Sequence, residues 1–172
     1  MSFMRWIACR WIPPWLRADA SYRIYLSFLD SLAKQGNMET DDEFRRKVES
    51  AARDVGVKLA GEVRDAFKFG SAIGDAVDAW RIGCNTAGVK YRMEKKGGKY
   101  VFHHPKCPMH KYFTSRGIIP CKSVCLPMVI AIAQSVCPEC EVEIVRDGDM
   151  KSTCIKALSL KAPRIPPTKG ED

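Results

Sequence analysis

The sequence lacks any apolar run near the roughly 18–20 residues with which a helix crosses a bilayer, which excludes an integral membrane protein. Near Met1 it also lacks a continuous apolar stretch followed by a small-residue cleavage site. We therefore expect no secretory signal and a cytoplasmic location. No internal repeat is visible, and no pair of residues stands out as a catalytic acid and base.

Composition indicates a folded protein with a basic surface. The chain has 172 residues, of which 46% are hydrophobic and 28% charged, enough to bury a core and too apolar for wholesale disorder. The net charge of +8 comes almost entirely from the second half. Its basic residues are scattered singly, without interleaved aromatic residues, so a solvated face is favoured and nucleic-acid binding is not expected.

The chain divides into three segments. Residues 1–40 form an arm rich in tryptophan, residues 41–160 form the main domain, and residues 161–172 are a proline-containing tail. In the arm, Trp6, Trp11 and Trp15 stand among arginines, and Pro13-Pro14 interrupts any helix. We favour packing of this arm against its own domain or a dimer mate. Contact with a membrane surface or with another protein through the three tryptophans is the alternative.

Within residues 41–160 the hydrophobic periodicity predicts helices followed by strands. A capping box from Thr40 to Glu43 opens a helix that runs to about Phe67, and a second helix covers Ile73–Thr86. Alternation around Gly97-Gly98 then predicts a β-hairpin.

The sequence of the remainder of the domain predicts three more elements. They are a short helix near 109–114, a buried helix over Val124–Val136 with Pro127 in its first turn, and a second hairpin around Asp147-Gly148-Asp149. The fold class is therefore α+β, with an antiparallel sheet built from two hairpins and packed against amphipathic helices.

Cysteine is abundant and clustered. Of eight cysteines, six fall between positions 107 and 154. In a reducing compartment this density favours a metal site over a disulfide framework, with free thiols as the alternative. The six are Cys107, Cys121, Cys125, Cys137, Cys140 and Cys154.

Spacing suggests which of these side chains share an ion. Cys121 and Cys125 lie one helical turn apart, and Cys107 and Cys154 could complete a tetrahedral zinc site, with His110 as a substitute ligand. The Cys137-x2-Cys140 pair has the spacing of half a zinc knuckle and also suits a redox pair. An iron–sulfur cluster is the alternative cofactor.

Three further residues are assigned to structure or surface. Cys84 lies on the apolar face of the second helix, where a packed core thiol is expected. His103 and His104 end a strand and are expected at the surface, with a role as metal ligands as the alternative because they lie close to Cys107 in sequence.

The segment Lys106-Cys107-Pro108-Met109-His110, the pair Cys121 and Cys125 opening an apolar helix, and the closing Glu141–Val145, Asp147-Gly148-Asp149 and Cys154 resemble the 4-vinyl-reductase (hydrocarbon-binding) domain. They are also similar to the related L-2-amino-thiazoline-4-carboxylate hydrolase group. The resemblance covers roughly residues 41–160. It implies an α+β domain, usually a homodimer, that encloses an apolar small-molecule pocket beside zinc.

Carried over to this chain, the resemblance matches Cys121 or Cys125, Glu143 and Cys154 to the zinc-binding positions. One position departs from the pattern, since Arg146 stands where sensor members have a cysteine. The missing thiolate then comes from Cys107, Cys125 or Cys140, or the zinc site is altered.

These observations predict a binding protein for an apolar or aromatic small molecule, serving as a sensor or carrier, with a cysteine-rich metal site. Trp80, Met128 and Ile132 are the candidate ligand contacts. One alternative is a metal-assisted hydrolase in which Glu143, Asp147 or His110 is the general base. The other alternative is an iron–sulfur redox protein.

Overall fold

The computed structural model describes residues 9–14, 17, 20, 24, 41–115, 119 and 121–161, with the side chain of residue 112 left aside. The described elements follow the order helix, helix, hairpin, helix, helix, hairpin, which confirms the α+β prediction. They are α1 (Asp42–Phe67), α2 (Ile73–Thr86), β1 (Lys90–Lys96), β2 (Lys99–Lys106), α3 (Pro108–Thr114), a π-helical turn (Cys121–Cys125), α4 (Leu126–Val136), β3 (Cys140–Arg146) and β4 (Ile155–Leu160).

Helix α1 forms because one stripe of apolar residues recurs at helical spacing and one end is capped. Its N-cap is Asp41, whose carboxylate accepts hydrogen bonds from the backbone N–H groups of Glu43 and Phe44 at 2.9 and 3.0 Å. The capping box predicted at Thr40 is thus replaced by an Asp41 cap one residue later, and Thr40 itself lies outside the described residues. The helix ends at Phe67, as expected, because Lys68 adopts a left-handed conformation.

The sheet is antiparallel, with strand order β1-β2-β4-β3. Gly97 and Gly98 both have positive φ angles, which the two-residue turn between β1 and β2 requires. Strand β2 also pairs with β4, so the two predicted hairpins join into one sheet. Because opposed residues share a face, the pairing of Phe102 with Lys156 turns both side chains towards the helices.

Helix α4 packs against α1 at close range. An added Cβ at Gly56 of α1 would overlap the backbone carbonyl of Met128 on α4, so the small residue permits this approach. Pro127 lies in the first turn of α4, as predicted. An N–H group at this position would have no hydrogen-bond partner within α4, so its absence in proline costs the helix nothing. At the other end of α4, the Arg64 guanidinium donates to the carbonyl oxygens of Ser135 and Val136 at 2.5 and 3.4 Å.

A short part of the N-terminal arm contacts the main domain. Cys9 and Ile12 are buried, and the Cys9 carbonyl accepts hydrogen bonds from Asn85 and Tyr91, both at 3.2 Å. Trp11 is exposed over 58% of its surface. Trp6, Trp15 and the tail beyond residue 161 lie outside the described residues, so the predicted membrane or protein contact through the tryptophans stays a prediction. No helix in the described ranges has the length and hydropathy to cross a membrane.

Candidate functional site

A cavity of about 120 Å³ lies between α1, α2, α4 and the inner face of the sheet. Its size approaches that of the roughly 150 Å³ engineered cavity that admits benzene. Most of its wall is apolar. The side chains that form this part include Leu59, Val63, Ala79, Trp80, Met128 and Ile132. The three predicted ligand contacts therefore all line this cavity. We call this space the thiol-lined cavity, because five cysteines complete it.

The five thiols reach the cavity from separate parts of the chain. All eight cysteines are described, and none forms a disulfide. Five of the eight predicted metal ligands line the cavity, four cysteines and His110, together with one predicted core thiol. The thiols are Cys84, Cys107, Cys121, Cys125 and Cys154. The structure thus brings together the sequence-predicted set of Cys107, Cys121, Cys125, Cys154 and His110, and adds Cys84.

A buried lysine stands among these thiols. Lys156 is only 5% exposed, and its Nζ donates a hydrogen bond to Cys154 Sγ at 3.0 Å. Burial lowers the pKa of Lys156, but the surrounding sulfur atoms, among them Cys154, which accepts its hydrogen bond, outweigh burial and raise that pKa above the usual value. Among the described residues, the cavity lining includes no Asp or Glu. The negative charge that balances the Lys156 ammonium therefore has to be carried by a sulfur atom.

Cys154 is the sulfur that carries this charge. The Cys121 thiol donates to Cys154, and this hydrogen bond is the largest cause of a pKa well below the ordinary thiol range. His104 and Lys156 lower the same pKa further, against burial, which raises it. The pKa of Cys121 rises correspondingly, first because it donates to Cys154 and then because it is buried.

The remaining cavity thiols are neutral at physiological pH. Burial raises the pKa of Cys84 and of Cys125 to about 12. Burial also raises the pKa of Cys107, although the backbone N–H of His110 donates to its sulfur at 3.4 Å and opposes the rise. The cavity therefore contains one thiolate and one ammonium in an otherwise uncharged wall.

Two histidines on the cavity wall are held by backbone carbonyl groups. His104 is buried, and its Nδ1 donates to the Cys154 carbonyl at 3.2 Å while its ring stacks on Phe102. The expectation that His104 lies at the surface is therefore wrong, because β2 turns alternate residues towards the helices. His103, on the opposite face, pairs with Glu94 at 3.2 Å. His110 Nε2 donates to the Asp149 carbonyl at 2.7 Å.

The loop between β3 and β4 closes over Cys121. A Cβ added at Gly148 would lie 2.5 Å from Cys121 Sγ, so the glycine allows the backbone to approach this sulfur. Asp149 fixes the same loop by accepting from the backbone N–H groups of Lys151 and Ser152 at 2.7 and 2.6 Å. The sequence showed the Asp-Gly-Asp turn but gave no sign that it meets Cys121.

Three of the predicted metal ligands lie outside the thiol-lined cavity. Cys137 and Cys140 are buried at the C-terminal end of α4, joined by a turn in which the Cys140 N–H donates to the Cys137 carbonyl at 2.9 Å. Glu143 lies on the exposed side of β3, where Lys99 Nζ approaches its carboxylate to 2.6 Å. None of the three lines the thiol-lined cavity.

The cavity thiols and His110 are not arranged as the predicted metal site requires. Among the residues that the structure describes, no group of three or more His, Cys, Asp or Glu is arranged to hold a metal ion. The Lys156 ammonium also lies beside the thiols, where a second cation would be repelled. As arranged here the residues do not fit a tetrahedral zinc site, and the zinc and iron–sulfur cofactors stay predictions.

No protein-family model, curated protein or solved structure is significantly similar to this chain. The resemblance to the hydrocarbon-binding and amino-thiazoline-carboxylate hydrolase families likewise stays a prediction.

Proposed function

We propose that this protein binds a small apolar or aromatic molecule in the thiol-lined cavity, as a sensor or carrier. The observation that carries the proposal is a partly open apolar pocket with a few polar side chains in its lining, which is the usual composition of small-molecule sites. The cavity volume suits a ligand about the size of one aromatic ring.

The apolar wall is held in a fixed geometry before any ligand enters. Trp80 Nε1 donates to the Val129 carbonyl at 3.0 Å, which ties α2 to α4 across the cavity. The same indole meets the Phe102 ring edge to face, with centroids 5.2 Å apart. A wall that is already ordered costs little conformational entropy on binding, so even a small ligand can gain affinity from it.

The alternative of a metal-assisted hydrolase has less support from the described residues. Two of its candidate bases, Glu143 and Asp147, pair with Lys99 and Lys122 at the surface and do not line the cavity. The third, His110, is hydrogen-bonded to a backbone carbonyl through Nε2. A homodimer and a cytoplasmic location accompany the proposal as predictions from the sequence.

Gly83 offers a direct way to block the cavity. It lines the cavity, and a Cβ added there meets nothing within 4 Å, so Gly83→Leu should fill the space without displacing the backbone. Gly74, on the same helix, is equally open and lies outside the cavity lining, so Gly74→Leu is the matched control.

The experiment is a thermal melt of the three proteins with benzene, toluene and p-cresol. A ligand at about 100 times its Kd should stabilise the wild type by about 2.7 kcal/mol, a rise in Tm of roughly 5–10 °C. We expect the same rise in Gly74→Leu and none in Gly83→Leu. Equal responses of Gly83→Leu and wild type, or no response in any of the three proteins, would contradict the proposal.

A further inference from the structure

The position of Lys156 among the cavity thiols has no role in binding an apolar molecule. Desolvating an ammonium is costly, and an apolar residue at this position would pack without that cost. The alternation of the segment leading into β4 places Cys154 and Lys156 on the same side of the chain, two residues apart and facing the cavity. The strand geometry therefore brings Lys156 Nζ within 3.0 Å of Cys154 Sγ.

We propose that Lys156 provides the positive charge of the thiol-lined cavity without a metal ion, and that it holds Cys154 as a nucleophile towards small α,β-unsaturated carbonyl compounds. This inference rests on the proposed function, because the electrophile has to enter the same cavity. It adds the chemical class of the ligand and the atom that bonds to it.

Three hydrogen-bonding groups distinguish Cys154 from its neighbours. Lys156 donates to its sulfur, and Cys121 and His104 interact with the same side chain. Cys125 and Cys84 also line the cavity, and neither is the sulfur that accepts the Lys156 hydrogen bond. Since the thiolate and not the thiol is the nucleophile, the sulfur in contact with the buried ammonium is the one prepared to react.

The chemical step is a conjugate addition. The Cys154 sulfur bonds to the β-carbon of the electrophile, and the π electrons of the C=C bond move to the carbonyl oxygen. A proton passes to the resulting enolate, from Lys156 or from water, and finishes on the α-carbon; Lys156 regains its proton from water. The net change adds sulfur and hydrogen across the double bond, with no leaving group and no change of oxidation state that needs an outside oxidant or reductant.

The test follows alkylation of each cysteine by N-ethylmaleimide, a small uncharged electrophile of this class, in the native full chain. Peptide mapping by mass spectrometry after timed quenching gives one rate per cysteine. We expect Cys154 to react about tenfold or more faster than Cys125, because its thiolate fraction is larger. The comparison within wild type needs no variant and does not depend on the folding of a mutant.

The variant Lys156→Met removes the charge and keeps an unbranched apolar stem. It should slow alkylation of Cys154 about tenfold and leave Cys137 and Cys140, which lie outside the cavity lining, unchanged. Lys161→Met is the matched control, since Lys161 is an exposed residue just after β4 that contacts the Pro138 carbonyl, and it should leave the alkylation rate of Cys154 unchanged.

Three results would overturn the inference. Cys154 could react no faster than Cys125, or at an unchanged rate in Lys156→Met, or the native protein could carry zinc whose removal by a chelator speeds the reaction at Cys154. Each of these leaves the toluene-induced shift in Tm, and hence the proposed function, unaffected. A fourth result would also overturn the inference: rapid alkylation of Cys154 retained in Gly83→Leu would show that the electrophile does not arrive through the cavity. The loss of the shift expected in that variant supports the proposed function, which fails only if wild type shows no shift or Gly83→Leu keeps it.

Discussion

Replacing Gly56 by alanine tests the contact on which the cavity geometry depends. Gly56 is buried where α1 crosses α4. An alanine Cβ there would lie 2.8 Å from the Cβ of Ala131 and closer still to the carbonyl oxygen of Met128. Because a backbone carbonyl cannot rotate away as a flexible side chain can, we expect the two helices to separate.

Two opposed effects determine how much Gly56→Ala changes the free energy of unfolding. Overpacking a well-filled contact costs about 1–3 kcal/mol, and a clash with backbone belongs near the upper end. Replacing glycine by alanine within a helix stabilises the folded protein by about 1 kcal/mol, because alanine has the higher helix propensity. The net expectation is a loss of about 1–2 kcal/mol in the free energy of unfolding, or roughly 2–8 °C in Tm for a chain of this size.

Gly61→Ala is the matched control. Gly61 lies in the same helix, is exposed, and has nothing within 4 Å of an added Cβ. It should show only the gain of about 1 kcal/mol from helix propensity. Urea unfolding of both variants, followed by circular dichroism, measures the difference. If Gly56→Ala is stabilised as much as Gly61→Ala, the close approach of α1 and α4 is refuted.

Two other substitutions test the helix end and the titration of a thiol. Arg64→Ala should lower the free energy of unfolding by about 1 kcal/mol, because two carbonyl groups at the end of α4 lose a charged donor. The exposed Arg53→Ala on the same helix should have little effect in the same urea experiment, and equal losses would contradict the capping role. The pKa of Cys84 is raised to about 12, so its contribution to stability is complete below its unfolded pKa near 8.5 and is lost as pH rises towards 12. Between about pH 7 and pH 10 wild type should therefore lose about 1–2 kcal/mol more than Cys84→Ala. Parallel pH profiles would show that the Cys84 thiol is not shielded from water inside the cavity.

Most of the described fold could be predicted from sequence because its determinants are local. The apolar stripe of α1, the Gly97-Gly98 turn and the apolar run that becomes α4 each specify an element within a few residues. The capping error was small, since Thr40 and Asp41 are both good caps and only the backbone geometry selects between them.

Part of the candidate site was also visible in the sequence. Cysteine density marked the region, and the one-turn spacing of Cys121 and Cys125 predicted their shared face. Density alone could not separate these thiols from Cys137 and Cys140, which lie at the other end of α4 and outside the cavity lining.

Tertiary structure decided the charge and the boundaries of the site. The order β1-β2-β4-β3 and the pairing of Phe102 with Lys156 place the lysine beneath the helices, while Glu143 faces outward towards Lys99. A strand shifted by one residue would exchange the two faces, and no local pattern fixes that register when a charged residue occupies an inward position. The sequence by itself therefore determined which helices and strands form and where cysteines accumulate. Their meeting with Lys156 in one cavity arises only from long-range strand pairing and helix packing.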